Sequence, residues 1–546
     1  MHRQVITFRK GNRLHTGQFQ RVYSMLQTTR HNRKTAYRLS GWLLLLAVFF
    51  AAAAFTGCEP ALFFARKHHL TDLAADMLRP DLSYLPKVLT PLFYTLQMSV
   101  CGTILGSVLG LLTAPFGTVS LRFPVVLRRL VRLVIQVLRS FPALVLALLA
   151  TFLFGLGTFA GTFAITLYTF AIMTKLTYED ADAANTAAYL ALRSMGCAPF
   201  PAFIHAVLPE ILPSYLTNAL YLLETNVRQS SILGYVGAGG IGLILNEKIS
   251  WREFQKVGAI LLVLFLTVCV IESISRYLSA LIRREFLVQT VSGVKRKRHL
   301  TLLGTGILLV FFVCLAAQTP PDFSHTSPET LKSMIGGLLH ADWAFFFSTK
   351  KDGLFYLLFE TVCISITGTG IGALLAFPFA FFSTRRFAPA PVCAVFRLLV
   401  IAIRSIPFLI YGLIFIRVSG PGAFTGVLTL AMCSIGLLTK RFTECLDMLD
   451  PGPYRALLAM GVSPLAAIRH AVLPQIAPAF ASAVLYRFDV NIREASVLGL
   501  VGAGGIGAPL IFAMNKYNWS RAGAILLGLI LLVWIMDVVS GKLAEK

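Results

Sequence analysis

A nineteen-residue stretch occurs twice in this chain, 265 positions apart. Glu224-Thr-Asn226-Val-Arg228-Gln-Ser-Ser231-Ile-Leu-Gly-Tyr-Val-Gly237-Ala-Gly239-Gly240-Ile-Gly242 returns as Asp489-Val-Asn491-Ile-Arg493-Glu-Ala-Ser496-Val-Leu-Gly-Leu-Val-Gly502-Ala-Gly504-Gly505-Ile-Gly507, with 12 of 19 positions identical. The same offset pairs Arg139-Ser-Phe-Pro142 with Arg404-Ser-Ile-Pro407, Lys175 with Lys440, Gly196 with Gly461, Pro209 with Pro474 and Gly258 with Gly523. A register held over that many positions marks a duplicated unit, so the fold must contain one structure twice.

The environment of that fold follows from composition. The chain is 56% hydrophobic and only 14% charged, with a mean hydropathy of +0.73, whereas soluble domains carry about 25% charged residues. Apolar runs of membrane-crossing length lie near 41–58, 91–116, 133–154, 157–174, 210–232, 257–282, 301–317, 355–382, 396–416, 422–439, 475–499 and 522–540. The reading is therefore an all-α polytopic membrane protein of about twelve spans, six per repeat. An even number returns the chain to its starting side, so the repeats are parallel and related by a pseudo-two-fold axis along the membrane normal.

Charge placement orients the chain. Residues 1–40 hold nine Lys/Arg and no Asp or Glu; Arg122, Arg128, Arg129 and Arg132 follow the second run, and Lys295-Arg-Lys-Arg298 follows the sixth. Segments 59–90 and 319–354 are near charge balance. This alternation places the basic segments and both termini in the cytoplasm, and it assigns the net charge of +24 to membrane topology rather than to nucleic acid. The expected organisation is a basic tail (1–40), a first repeat (41–283), a basic linker (284–300) and a second repeat (301–546). Nine cysteines without a CxxC pair give no disulfide framework and no metal signature.

Three kinds of motif carry the functional reading. Gly237-x-Gly239-x-x-Gly242 and Gly502-x-Gly504-x-x-Gly507 satisfy a dinucleotide fingerprint formally, but neither follows a strand, so Gly237, Gly239, Gly240, Gly502, Gly504 and Gly505 are read as tight turns bordering a pathway. Arg228 and Arg493 would each cost about 2.5–3.5 kcal/mol at the centre of a lipid-facing helix, so they belong in the interior. With Asn226, Ser231, Asn491 and Ser496 they are expected to line a route for an anion, since an arginine fork suits a phosphorus–oxygen group. The alternative is an ion pair with Glu224 or Asp489, one helical turn earlier. Glu272 and Asp537 occupy matching places in the last run of each repeat. Small residues at Gly102, Gly106, Gly368 and Gly372 are expected to let helices approach closely.

The third motif lies in the stretches 176–209 and 441–474. Ala191, then Gly196, then Pro209 is repeated as Ala456, Gly461 and Pro474, and each copy reads as helix, turn, helix. These loops resemble the EAA loop of ABC importer permeases, although Leu190 and Arg455 stand where that family carries a glutamate. Together with Arg-Ser-x-Pro and the Asn-x-Arg glycine stretch, they resemble the phosphonate-type, PhnE-like permeases over about 190 residues of each half. The resemblance implies a type I importer permease fold, with two units fused in one chain. It also implies two copies of a cytoplasmic ATPase docked on those loops, an extracytoplasmic substrate-binding protein, and a bacterial inner membrane. The chain has no GxxxxGK[ST] loop, so ATP is expected on the partner and no cofactor here. An ion-driven secondary transporter and a non-transporting scaffold are the alternatives. The copies differ at Gln229 and Ser230 against Glu494 and Ala495, as a fused pair can and a homodimer cannot.

Overall fold

The apolar runs fold as helices, and each helix of the first repeat has a partner in the second. The computed structural model describes residues 43–58, 66–121, 123–287, 310–320, 328–348, 350 and 353–544. The tail 1–40, Arg122 and the basic cluster Lys295–Arg298 lie outside the described residues. In the first repeat the helices are α1 (Leu43–Phe55), α2 (Lys67–Met77), α3 (Leu85–Gly117), α4 (Val125–Ser140) and α5 (Ala143–Phe154). They continue with α6 (Thr158–Ala183), α7 (Ala187–Ser194), α8 (Leu208–Leu233), α9 (Ile241–Ser250) and α10 (Phe254–Leu287). The second repeat runs α11 (310–316), α12 (Pro328–Leu339), α13 (Leu354–Ser383), α14 (Ala390–Ser405) and α15 (Phe408–Ser419). It ends with α16 (Ala423–Asp447), α17 (Gly452–Ala459), α18 (Leu473–Leu498), α19 (Gly507–Asn515) and α20 (Trp519–Ala544).

Among the described residues seven helices are long and apolar enough to cross a membrane, or nine if each bent pair is one span. The remaining apolar runs are the short α1, the partly described 301–317, and α8, which carries Glu210, Glu224 and Arg228. The third run of each repeat is broken: α4 meets α5 at 93° and α14 meets α15 at 90°. The cause is local. Pro142 and Pro407 push Phe141 and Ile406 into extended backbone, with ψ of 127° and 121°, which ends the preceding helix. What remains of α4 is amphipathic, with Val126, Leu130 and Leu133 exposed, as suits a helix lying in a membrane interface.

Within each repeat, small residues set the distance between the two most closely packed helices. A Cβ on Gly106 of α3 would stand 2.6 Å from the Thr166 carbonyl oxygen of α6, and one on Gly372 of α13 would stand 2.9 Å from the Ala431 carbonyl oxygen of α16. The close approach expected at these glycines is thus present in both copies.

The repeats also exchange their leading helices. Phe49 of α1 packs over Gly370 of α13, and Phe55 stacks edge-on to Phe359 at 4.9 Å. Reciprocally, Gln97 of α3 donates to the Cys314 carbonyl of α11 at 2.9 Å, and Thr158 and Thr319 share a hydroxyl bond of 2.9 Å. Each repeat therefore holds the other by its first helix.

Candidate functional site

The repeated stretch forms the end of α8 and of α18, together with the turn that follows. Each helix passes through a short 3₁₀ turn into a glycine of left-handed backbone, Gly237 at φ 86° and Gly502 at φ 76°. The next glycines are close-approach positions as well. A Cβ on Gly240 would lie 2.7 Å from Thr95 Oγ1, and one on Gly505 would lie 3.0 Å from Thr361 Oγ1. Those same threonines accept the N–H of Ile241 at 2.8 Å and of Ile506 at 3.2 Å. The turns are fixed against α3 and α13, as non-helical backbone inside a membrane protein requires.

Asn226 and Asn491 are fully buried and join three helices each. The Asn226 amide donates to Thr103 and Thr169, both at 2.8 Å, and the Asn491 amide donates to Thr369 at 2.6 Å and Ser434 at 2.9 Å. Ser231 and Ser496 are buried too, and their hydroxyls bond back to the Arg228 and Arg493 carbonyls, both at 2.6 Å. Of the six pathway candidates only the arginine side chains retain exposure, 14% for Arg228 and 17% for Arg493. Their helical-turn partners are engaged: Arg228 meets Glu224 at 2.9 Å and Arg493 meets Asp489 at 2.7 Å.

Sequence reasoning missed that these pairs extend into the opposite repeat. Arg404, the arginine of the second Arg-Ser-x-Pro, reaches from α14 to Glu224 at 2.8 Å and to Glu272 of α10 at 3.4 Å. Lys440 of α16 lies 3.6 Å from Glu272. In the mirrored place Arg139 of α4 lies 3.9 Å from Asp537 of α20, which also accepts from Gln136. The second repeat adds Arg487 to Glu494 at 2.7 Å, where the first has Leu222 and Gln229. The available signal was an unassigned charge at matching places of both repeats, at 139 and 404 and at 272 and 537, because an intramembrane charge needs a partner.

At the other end of α8 and α18 the expected helix–turn–helix is present twice. Helices α7 and α17 end at Gly196 and Gly461, with φ of 86° and 79°. Nothing stands within 4 Å of a Cβ built at either glycine, so backbone conformation alone selects glycine there. Ala191 and Ala456 lie within the helices, and Pro209 and Pro474 stand in the first turns of α8 and α18. Beside the glycines, Met195 and Met460 are 82% and 77% exposed.

Comparison with known proteins agrees with this architecture. The chain is 29% identical over 459 residues to the phosphate-import permease protein PhnE of Mycolicibacterium smegmatis, covering 83% of this chain and 84% of that protein. It is 41% identical over 189 residues to the phosphite transport system permease protein PtxC of Stutzerimonas stutzeri, covering 34% of this chain and 69% of that one. Among solved structures, an inward-facing MetNI methionine ABC transporter matches 37% of this chain and 99% of its own, at 21% identity and a TM-score of 0.34. The model of the family described as binding-protein-dependent transport system inner membrane component matches twice, over residues 84–284 and 368–544. The chain is a two-unit member of that family, with the fold of an ABC importer permease.

Proposed function

We propose that this chain is the membrane permease of an ATP-driven importer for a phosphorus oxyanion such as phosphonate, phosphite or phosphate. Its two repeats, 41–283 and 301–546 joined by the linker 284–300, form the two walls of one pathway. The single observation that carries this reading is the pair of partly exposed arginines, Arg228 and Arg493, at matching places on α8 and α18. Arg493 Nη1 is a buried donor with no hydrogen-bond partner among the described residues, while its Nη2 holds Asp489. Asn226, Asn491, Ser231 and Ser496 hold the two arginine-bearing helices from behind, and Gly237, Gly239, Gly240, Gly502, Gly504 and Gly505 shape the turns at the pathway's edge.

Family membership makes the chain a transport component, with ATP used by a partner ATPase and substrate delivered by a binding protein. In our reading both termini and the loops through Ala191, Gly196 and Pro209 and through Ala456, Gly461 and Pro474 face the cytoplasm. Two ATPase copies dock there, one per loop. Closure of the ATPases moves α7 and α17, which lead through the short helical segments 199–207 and 464–472 into α8 and α18 and so to the arginines.

The reading is tested by ATPase stimulation of the reconstituted complex across phosphonate, phosphite and phosphate. Stimulation by at least one is expected, and indifference to all three would refute it. A residue test accompanies it: Arg228→Gln with Arg493→Gln lowers uptake at least about tenfold, the scale of one lost charged hydrogen bond in a dry site. Glu224 keeps Arg404, and adding Asp489→Asn spares the carboxylate that Arg493→Gln would strand, so assembly is retained. Wild-type uptake in the double variant removes the pathway role.

A further inference from the structure

The two charge clusters at the seams are not equal, although the duplication makes their positions equivalent. Around Glu224 and Glu272 stand three cations, Arg228, Arg404 and Lys440, against two carboxylates. Around Asp489 and Asp537 stand two cations, Arg493 and Arg139, against two carboxylates. The Arg487–Glu494 pair beside the second cluster is itself neutral.

The inequality begins at one substituted position. Arg441 on α16 takes Glu444 at 3.1 Å, which leaves Lys440 to reach across the seam to Glu272. In the first repeat Leu176 stands at the matching place, and Glu179 draws Lys175 to 3.5 Å. Side-chain length adds to the difference. Glu224 is one methylene longer than its mate Asp489, and it meets both Arg228 and Arg404, whereas Asp489 forms an ion pair with Arg493 alone among the described residues. Gln136 satisfies Asp537 where Ile401 stands at the matching place and offers nothing.

We propose that this surplus makes the Glu224–Glu272 seam the anion-receiving side of the pathway: Lys440 and Arg228 attract the phosphorus–oxygen group, and Arg404 is a positioning residue that fixes the two carboxylates. Exposure separates the roles within this cluster, Lys440 at 31% and Arg228 at 14% against Arg404 at 4%, but not the two sides, since Lys175 is also 31% and Arg493 17% exposed; the side is set by the surplus of charge. Attraction of the anion is thus stronger on one side of the pathway, and of the two lysines related by the duplication only Lys440 contributes to it. This inference rests on the importer reading above and specifies where its anion binds.

The test compares the two lysines in the complete complex, with its ATPase and binding protein in proteoliposomes, supplied with phosphate, phosphite or methylphosphonate. Lys440→Gln is expected to lower ATP-driven uptake per assembled complex about tenfold, and Lys175→Gln by less than about twofold. Lys440→Arg keeps the charge and most of the uptake. Arg441→Leu copies the first repeat, releases Glu444 to capture Lys440, and reproduces the loss. Equal losses at the two lysines, no loss at Lys440, or a Lys440→Arg variant as impaired as Lys440→Gln overturns the one-sided site while leaving the importer reading intact. A wild-type complex that takes up none of the three anions overturns the importer reading, and this inference with it.

Discussion

Arg404→Gln destabilises the protein by about 3–5 kcal/mol, because it takes the shared cation away from two buried carboxylates at once. Arg404 is 4% exposed, and its partners Glu224 and Glu272 are 5% and 7% exposed, so water does not replace the lost contact. The mirrored change Arg139→Gln costs about 1 kcal/mol or less, since Asp537 is 23% exposed, lies 3.9 Å away and keeps Gln136. Thermal unfolding of the purified variants separates the two. Adding Glu272→Gln to Arg404→Gln recovers part of the loss, because Glu224 still has Arg228 at 2.9 Å whereas Glu272 is left with only the longer contact to Lys440 at 3.6 Å. Equal destabilisation by the two arginine changes would contradict the bridging role of Arg404.

Met195→Asp combined with Met460→Asp weakens ATPase binding roughly a hundredfold, as expected when two central apolar anchors of an interface are each replaced by a charge. The protein itself melts as before, since both methionines are largely solvent-exposed in the isolated chain. Affinity for the purified ATPase measures the first effect and a melting curve the second. Unchanged affinity would remove α7 and α17 from the docking surface. The loops depart from the family's glutamate, with Leu190 and Arg455 in its place.

Much of this architecture was legible in the sequence because it rests on local chemistry. The duplication, the apolar runs, the glycine seams and the helix–turn–helix each follow from spacing within one segment. The helical-turn pairs Arg228–Glu224 and Arg493–Asp489 were legible for the same reason, and both form. What escaped is long-range. Glu224 serves a second arginine 180 positions away, and Phe49 packs on a glycine in the other repeat. Neither contact leaves a periodicity, because each depends on how the repeats dock. The buried asparagines show the same limit: composition marks Asn226 as costly in a membrane, but only the fold supplies Thr103 and Thr169 as its partners. The unequal clusters were visible only in part, through Glu494 against Gln229. The consequence of Arg441 against Leu176 needed the geometry of Lys440 and Glu272.

We propose that transport through this chain is driven by a partner ATPase. The most direct measurement is uptake of a phosphorus oxyanion into proteoliposomes holding the chain with its ATPase and binding protein. Accumulation that requires ATP hydrolysis and is indifferent to an imposed ion gradient is expected. Uptake driven by an ion gradient through the chain alone, with no ATPase present, would contradict it.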